Sequence, residues 1–439
     1  VRIAVVNWSR RKVGGTETYL SLIIPELVRR GHTVAFWHET DKPLNREQIA
    51  LPAEVPAWCV STLGEQRALD ALRDWQPDLI YTHKVMSPRL EAKTLKIAPA
   101  VFFAHDYYGT CISGAKTFKN PQVIPCSRRF GWKCLLHYYP HRCGGLSPVT
   151  MLRLFRLQSR RLELLREYKA ILTHSMHMRA EYLKHGFPPE RVHNPSYYAH
   201  GAEKFSSGAE DDQLGISPLA TAEATPLETQ EKRLGHHLLF TGRMDLLKGG
   251  RTFIEALPQI RSALGRPLRV TFAGDGPDRI AWERNASKAE RKVDGLKIEF
   301  VGWVERNQLE TLYQDCDLLV FPSLWPEPFG LAGPEAGFHG VPVAAFDVGG
   351  VPDWLIDGVN GHLAPGDPPT TAGLAQAVIK CLRDPTDHRR LCHGAVRIAQ
   401  QFNLKNHLTV LMTVFEKIVY PGLDSLCPER TITDKDTER

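Results

Sequence analysis

Two glutamates carry the strongest chemical signal in the chain. Glu327 and Glu335 stand eight residues apart within FPSLWPEPFGLAGPEAGFHGVPVAAFDVGGVPDWLIDGVNG, residues 321–361. The apolar run 318–321 reads as a buried strand, and 322–330 is too rich in Pro and Gly to extend it. Residues 330–338 then read as a helix with Gly330 and Leu331 at its start, 341–346 as a second short strand, and Gly349 and Gly350 as the next turn. Glu327 therefore falls in the loop before the helix and Glu335 a turn or so inside it. At the carboxyl edge of a parallel sheet, a helix start favours an anion. Carboxylates do not bind phosphate, so their natural partners are sugar hydroxyls around a diphosphate held by backbone donors.

Other residues of chemical interest lie at the ends of strand candidates. Residues 3–6 lead through Gly14 and Gly15 into a helix with Leu20, Ile23, Ile24 and Leu27 at helical spacing, which Gly31 ends. That turn lets backbone N–H groups approach a ligand, but it lacks the GxGxxG of a dinucleotide fingerprint. Glu39, after the second strand, imitates the ribose-binding acid of a nicotinamide site, and the paired glycines favour a sugar donor instead. The runs 79–81 and 101–104 are each followed closely by a histidine, His83 and His105, where an open sheet meets its ligand crevice. Asp315, Cys316 and Asp317 spell the DxD of some metal-dependent transferases; directly before an apolar strand they read better as a cap or sheet-edge element.

Four of the nine cysteines, Cys111, Cys126, Cys134 and Cys143, fall within the irregular Gly/Pro-rich stretch 107–148, with His137 and His141 nearby. Thiolate and imidazole are good zinc ligands, so a structural zinc could hold this insertion together. Unlinked thiols and a disulfide are the other readings, because no CxxC is present.

The elements that must position these residues alternate strand and helix in both halves. A chain of 439 residues with 43% apolar and 24% charged content is too large for one core and too apolar for disorder. We expect an α/β protein with a first domain at 1–200, a polar linker or surface excursion at 201–235, a second domain at 236–400, and at 401–439 a terminal helix that packs back on the first domain, with a frayed tail. No run of eighteen apolar residues suggests a membrane span, and the immediate opening strand argues against a signal peptide. Residues 1–200 hold 29 Lys and Arg against 16 Asp and Glu, whereas 201–439 hold 26 against 33. The basic half would suit a phosphorylated or lipid-linked acceptor or an anionic membrane; nucleic acid is not expected, since no binding module is present. The scattered cysteines suit a reducing, cytoplasmic setting, peripheral at the inner membrane face if the basic half docks there. The arginine-rich helix expected at 151–168 reads first as a packed helix with a solvated basic face.

With both halves in view, the chain resembles family 4 of the retaining glycosyltransferases. The resemblance rests on EPFGLAGPE with its flanks, on TGRMDLLKGG at 241–250, on AGDGP at 273–277, on GGTETY at 14–19 and on His105 in AHDYYGTC. It implies a GT-B fold, two facing doubly wound Rossmann-like domains with an interdomain cleft. It also implies transfer of a sugar from a UDP-, GDP- or ADP-sugar to a glycan, lipid-linked or small-molecule hydroxyl by a metal-independent front-face route. In that pattern Arg243 and Lys248 grip the donor diphosphate, Glu335 receives ribose hydroxyls, Glu327 meets the transferred sugar, and His105 lies near it. Gly14, Gly15, Gly349 and Gly350 would permit close approach of ligand. Asp353 stands where many relatives carry glutamate, and Asn194 takes no role, since HNPSYYAH replaces the NGVD of many relatives. The alternatives are a catalytically silent nucleotide- or glycan-binding scaffold and another GT-B enzyme such as a sucrose-type synthase.

Overall fold

The computed structural model describes residues 1–195, 198 and 236–421, so the polar stretch and the tail expected to fray lie outside the described residues. In the first half, short runs of β-branched and aromatic residues form β1 (Arg2–Ser9), β2 (Thr33–Thr40), β3 (Ala57–Cys59), β4 (Leu79–Thr82) and β5 (Ala100–Ala104). After a two-stranded hairpin, β6 (Thr117–Phe118) with β7 (Ile124–Pro125), come β8 (Ala170–Thr173) and β9 (Val192–His193). The seven long-range strands lie in the order β3-β2-β1-β4-β5-β8-β9 and every pair is parallel. Ile3, Ala4, Val5 and Val6 of the central β1 are all fully buried, because helices cover both faces of a parallel sheet.

The second half repeats the scheme with β10 (His237–Thr241), β11 (Leu268–Ala273), β12 (Leu296–Gly302), β13 (Leu318–Phe321), β14 (Val343–Phe346) and β15 (Gly361–Ala364). Their order is β12-β11-β10-β13-β14-β15, again wholly parallel. Each sheet reverses its winding once, between β1 and β4 and between β10 and β13, and such reversals open a crevice at the carboxyl ends of the strands. This is the two-domain, doubly wound α/β architecture that the alternating sequence pattern predicts.

The two carboxyl edges meet. Tyr107, just after β5, donates its hydroxyl to the Pro326 carbonyl at 2.5 Å. Ser175, just after β8, donates to the Pro328 carbonyl at 2.5 Å, and the Met176 N–H donates to Asp353 at 2.5 Å. The last described helix, Leu404–Val419, crosses back to the first domain: its Phe415 ring lies 5.0 Å from Tyr81, and His407 Nε2 is 2.7 Å from the Tyr19 hydroxyl.

Several boundaries move from expectation. The helix expected at 330–338 begins later, at Ala332–Phe338, because Gly330 takes a left-handed φ of 94° and Leu331 is its N-cap. The helix expected at 151–168 spans Pro148–Leu165, opened by a Ser147 cap. Asp317 lies at the start of two inner strands: its carboxylate accepts the His237 N–H at 2.7 Å and ties β13 to the start of β10.

Candidate active site

The glycines around Glu327 and Glu335 are there for packing. The Trp354 indole, which donates to the Phe329 carbonyl at 2.6 Å, lies flat against Gly333, where a Cβ would overlap its ring. A Cβ on Gly337 would meet the Ala395 carbonyl at 2.9 Å, so the helix Ala332–Phe338 can approach Pro385–Ala399 closely. The loop before it is fixed in turn by Gly349, whose φ of 60° and missing Cβ admit the backbone of Pro326 and Glu327, and by the Gly350 N–H, which donates to the Glu327 carbonyl at 2.7 Å. On the side where a Cβ would stand, Gly349 and Gly350 thus pack against the chain's own 326–328 loop and Ser175.

Both carboxylates are buried and both are matched. Glu327 accepts from Lys248 Nζ at 2.6 Å and from Ser323 Oγ at 2.7 Å, on the same oxygen, with the Lys248 ammonium 5.2 Å from the centre of the Trp325 ring. Glu335 accepts from Arg306 at 2.8 Å. Burial pushes the Glu335 carboxyl above its ordinary range, and the Arg306 guanidinium pulls it back. Lys248 is held in place by the Asp245 cap on its short 3-10 turn Leu246–Lys248 and by Gly249, whose φ of 68° lets the turn press against the Pro322 carbonyl. Arg243, just past the end of β10, is 71% exposed and, among the described residues, makes a long contact of 3.5 Å with Asp245. A lysine, an arginine and two glutamates therefore gather around the β10/β13 reversal, the lysine and the glutamates with close partners and Arg243 exposed.

The first domain faces this cluster with histidine. His83, His105 and His174 follow β4, β5 and β8, three neighbouring strands, and so stand in a row. His105 Nε2 is 2.8 Å from His83 Nδ1, and His105 Nδ1 is 2.8 Å from His174 Nε2. Burial drops the His105 imidazole to about 3, so the ring is neutral at physiological pH. A neutral ring with both nitrogens engaged must donate through one and accept through the other, so the row has a single direction of hydrogen bonding. Beside it, Gly14 and Gly15 open the helix Gly15–Arg29, and nothing stands within 4 Å of where a Gly15 Cβ would lie. Glu17 fixes that turn by accepting from the Gly14 N–H at 3.0 Å, Asn7 at 3.1 Å and the Trp8 indole at 3.0 Å. Glu39 instead caps the 86–87 turn, accepting the Met86 and Ser87 N–H groups at 2.8 and 2.9 Å.

The four cysteines of the insertion line one cleft, together with Lys116, Arg128 and His137. All four are free thiols. Burial and the neighbouring thiols push Cys143 up to about 12.

The family model for Glycosyltransferase Family 4 matches residues 13–194, and that for Glycosyl transferases group 1 matches residues 235–384. The chain belongs to the family 4 type of GT-B glycosyltransferase. Among curated relatives, a glycogen synthase of Mycobacterium tuberculosis is 32% identical over 194 residues, 43% of this chain and 45% of that protein. The chain thus matches a little under half the length of this relative. Among solved structures, Anabaena HepE, crystallised with UDP and glucose, aligns over 95% of this chain and 99% of its own at TM-score 0.59 and 17% identity. Sucrose-phosphate synthase of Thermosynechococcus elongatus aligns over 95% and 98% at TM-score 0.64 and 17% identity, a likeness of fold.

Against this GT-B frame, the sequence pattern located Arg243, Lys248, Glu327, Glu335 and His105 on the two facing carboxyl edges. It did not single out Arg306, Ser323, Glu17 or His174. His174 carried the one readable signal, a histidine directly after the apolar run 171–173, the same position as His105 holds after β5.

Proposed function

We propose that this glycosyltransferase moves a sugar from a UDP-, GDP- or ADP-sugar to a hydroxyl acceptor with retention of configuration. The observation that carries the reading is the Lys248–Glu327 and Arg306–Glu335 pairing beside Arg243, at the edge that faces His105. Arg243 and Lys248 supply two cations for the departing diphosphate, and their attraction grows as the glycosidic bond breaks. Arg306 holds one oxygen of Glu335, so a ribose hydroxyl would meet the other. Lys248, drawn to the diphosphate, would release a Glu327 oxygen for a hydroxyl of the sugar. In the front-face route the acceptor oxygen bonds to the anomeric carbon on the side that the diphosphate leaves. The acceptor proton passes to the leaving phosphate oxygen, so no protein nucleophile is required. A neutral His105 can give a hydrogen bond to a sugar hydroxyl by exchanging its bond to His83 or His174 for it.

A thermal-shift panel of UDP-, GDP- and ADP-sugars should identify one stabilising donor class, and the first-formed product should keep the donor's anomeric configuration by NMR. Lys248→Ala and Glu335→Ala should each lower turnover about 100-fold with the fold intact. Unchanged transfer by both variants would remove these roles, and donor binding with neither hydrolysis nor transfer would point to a silent scaffold.

The acceptor side belongs to the basic first domain. Trp132, Leu136, Leu146, Val149 and Leu152 are exposed large apolar side chains near the start of the helix Pro148–Leu165, which also carries Arg153 and Arg156. Apolar and cationic groups together suit an anionic lipid surface, and among the described residues no helix is long and apolar enough to cross a membrane. The protein should therefore float with vesicles containing phosphatidylglycerol and not with neutral ones. A Val149→Glu/Leu152→Glu variant should stay behind, and equal behaviour of the two proteins would exclude this surface.

A further inference from the structure

The four cysteines come from four separate pieces of the insertion. Cys111 ends the segment after β5, Cys126 follows the β6–β7 hairpin, Cys134 lies in the short helix Lys133–His137, and Cys143 precedes the long helix Pro148–Leu165. They meet around the one cleft, which all four line. Yet they do not converge on a point. Among the described residues, only His38, Asp41 and Cys59 bring three such ligand atoms within 4.8 Å of one another. A tetrahedral zinc with Zn–S bonds near 2.3 Å needs its sulfurs roughly 3.8 Å apart. The set is therefore wider than the single zinc that the sequence suggested.

A four-iron, four-sulfide cluster also takes four cysteine thiolates, and it spreads them over a larger tetrahedron, because each binds a different iron at the corner of a cube. We propose that Cys111, Cys126, Cys134 and Cys143 hold such a cluster, with a structural role. The surroundings fit its chemistry. The Lys116 N–H donates to Cys111 Sγ at 3.3 Å, and the Lys116 carbonyl accepts the Cys126 N–H at 2.8 Å, so one residue links two ligands through its backbone. Lys116 does this from a left-handed φ of 47°, and Arg142, next to Cys143, has a φ of 48°. Such backbone is costly for residues with a Cβ and persists where something else fixes it. Lys116 and Arg128 line the same cleft and offset the negative charge of a thiolate-bound core, while the Lys116 ammonium also pairs with Glu181. The rest of the insertion has only a small core of Ile112, Phe130 and Tyr138. The cluster would fasten this segment where it matters, since Tyr107, which reaches the second domain, lies four residues before Cys111.

Protein made with iron and zinc both supplied and purified without oxygen should contain about four iron and four acid-labile sulfide per chain, with a broad visible charge-transfer absorption. Air or a chelator should bleach that absorption. Cys134→Ser and Cys126→Ser should lose it, whereas Cys392→Ser, in the other domain, should keep it. If the serine variants fail to fold, the iron and sulfide content of the unaltered protein decides alone. One zinc per chain without sulfide, or no metal at all, would overturn the proposal.

Discussion

At the scale of single residues, the site is a set of charges held against their own burial. Glu335 is the clearest case, since a carboxylate driven up by desolvation stays useful as a hydroxyl acceptor only while Arg306 holds it ionised. Arg306→Ala should therefore weaken donor binding about tenfold or more, most strongly at lower pH, where the unpaired carboxyl takes up its proton. Arg306→Lys should recover part of the loss, and donor titration by calorimetry at two pH values checks both; identical affinity in all three proteins would show that Arg306 does not act through Glu335. The sequence revealed the two glutamates because their glycine-rich frame is local, eight residues long and unlike ordinary surface. Their partners were hidden for a physical reason. Lys248 is 79 residues from Glu327 and Arg306 is 29 from Glu335, so the first pair exists only once β10 and β13 lie side by side and the second only once the β12-β11-β10-β13 order is in place. The histidine row was hidden in the same way, since His83, His105 and His174 become neighbours only through the β4-β5-β8 order.

At the scale of elements, strands and their apolar runs were legible, and the short helices and the uses of glycine were not. A seven-residue helix such as Ala332–Phe338 carries little periodicity, and Gly349 looks the same in sequence whether its space serves a ligand or the 326–328 backbone. Polar groups beneath the sheet were also invisible. Glu91, in the helix Pro88–Thr94, is fully buried and accepts from the Tyr108 and Tyr168 hydroxyls at 2.6 and 2.8 Å. Burial raises its carboxyl to about 7, and these hydrogen bonds offset part of the rise. A raised folded-state value means that the folded protein binds the proton more tightly than the unfolded chain, whose carboxyl titrates near 4.5. The Glu91 contribution is therefore complete below about pH 4.5 and is lost as pH rises through about 7, amounting to about 3 kcal/mol. Glu91→Gln, which cannot ionise, should lose this pH-dependent component, so the stability difference between the two proteins should shift toward the variant by that amount between pH 4.5 and 8. Denaturant midpoints across that range test it, and parallel curves would mean that Glu91 stays ionised when buried.

At the scale of the whole molecule, function depends on two sheets that touch along their carboxyl edges, and one glycine measures how tightly. Gly350 has an ordinary φ of −86°, so an alanine there brings no backbone strain. Its Cβ would nevertheless stand 2.7 Å from the Ser175 Cβ across the domain boundary and 2.6 Å from the Pro328 carbonyl. Gly350→Ala thus acts as a wedge at the domain boundary, pressing on Ser175 across it and on the Pro328 carbonyl beside it. Overpacking of this kind costs about 1–3 kcal/mol, and the molecule can relieve the part against Ser175 by parting the edges. The variant should keep its far-UV circular dichroism, gain radius of gyration in solution scattering, and bind the donor about 5- to 100-fold more weakly. Ser175 also caps the helix Met176–Lys184, but glycine at an N-cap costs only a few tenths of a kcal/mol, so Ser175→Gly can be combined with the wedge. If the domain contact is what the methyl disturbs, the double variant should recover part of the donor affinity, although it also lacks the Ser175–Pro328 hydrogen bond. If the single variant binds donor as well as the unaltered protein, the two edges need not meet as closely as they do here for the nucleotide sugar to be held.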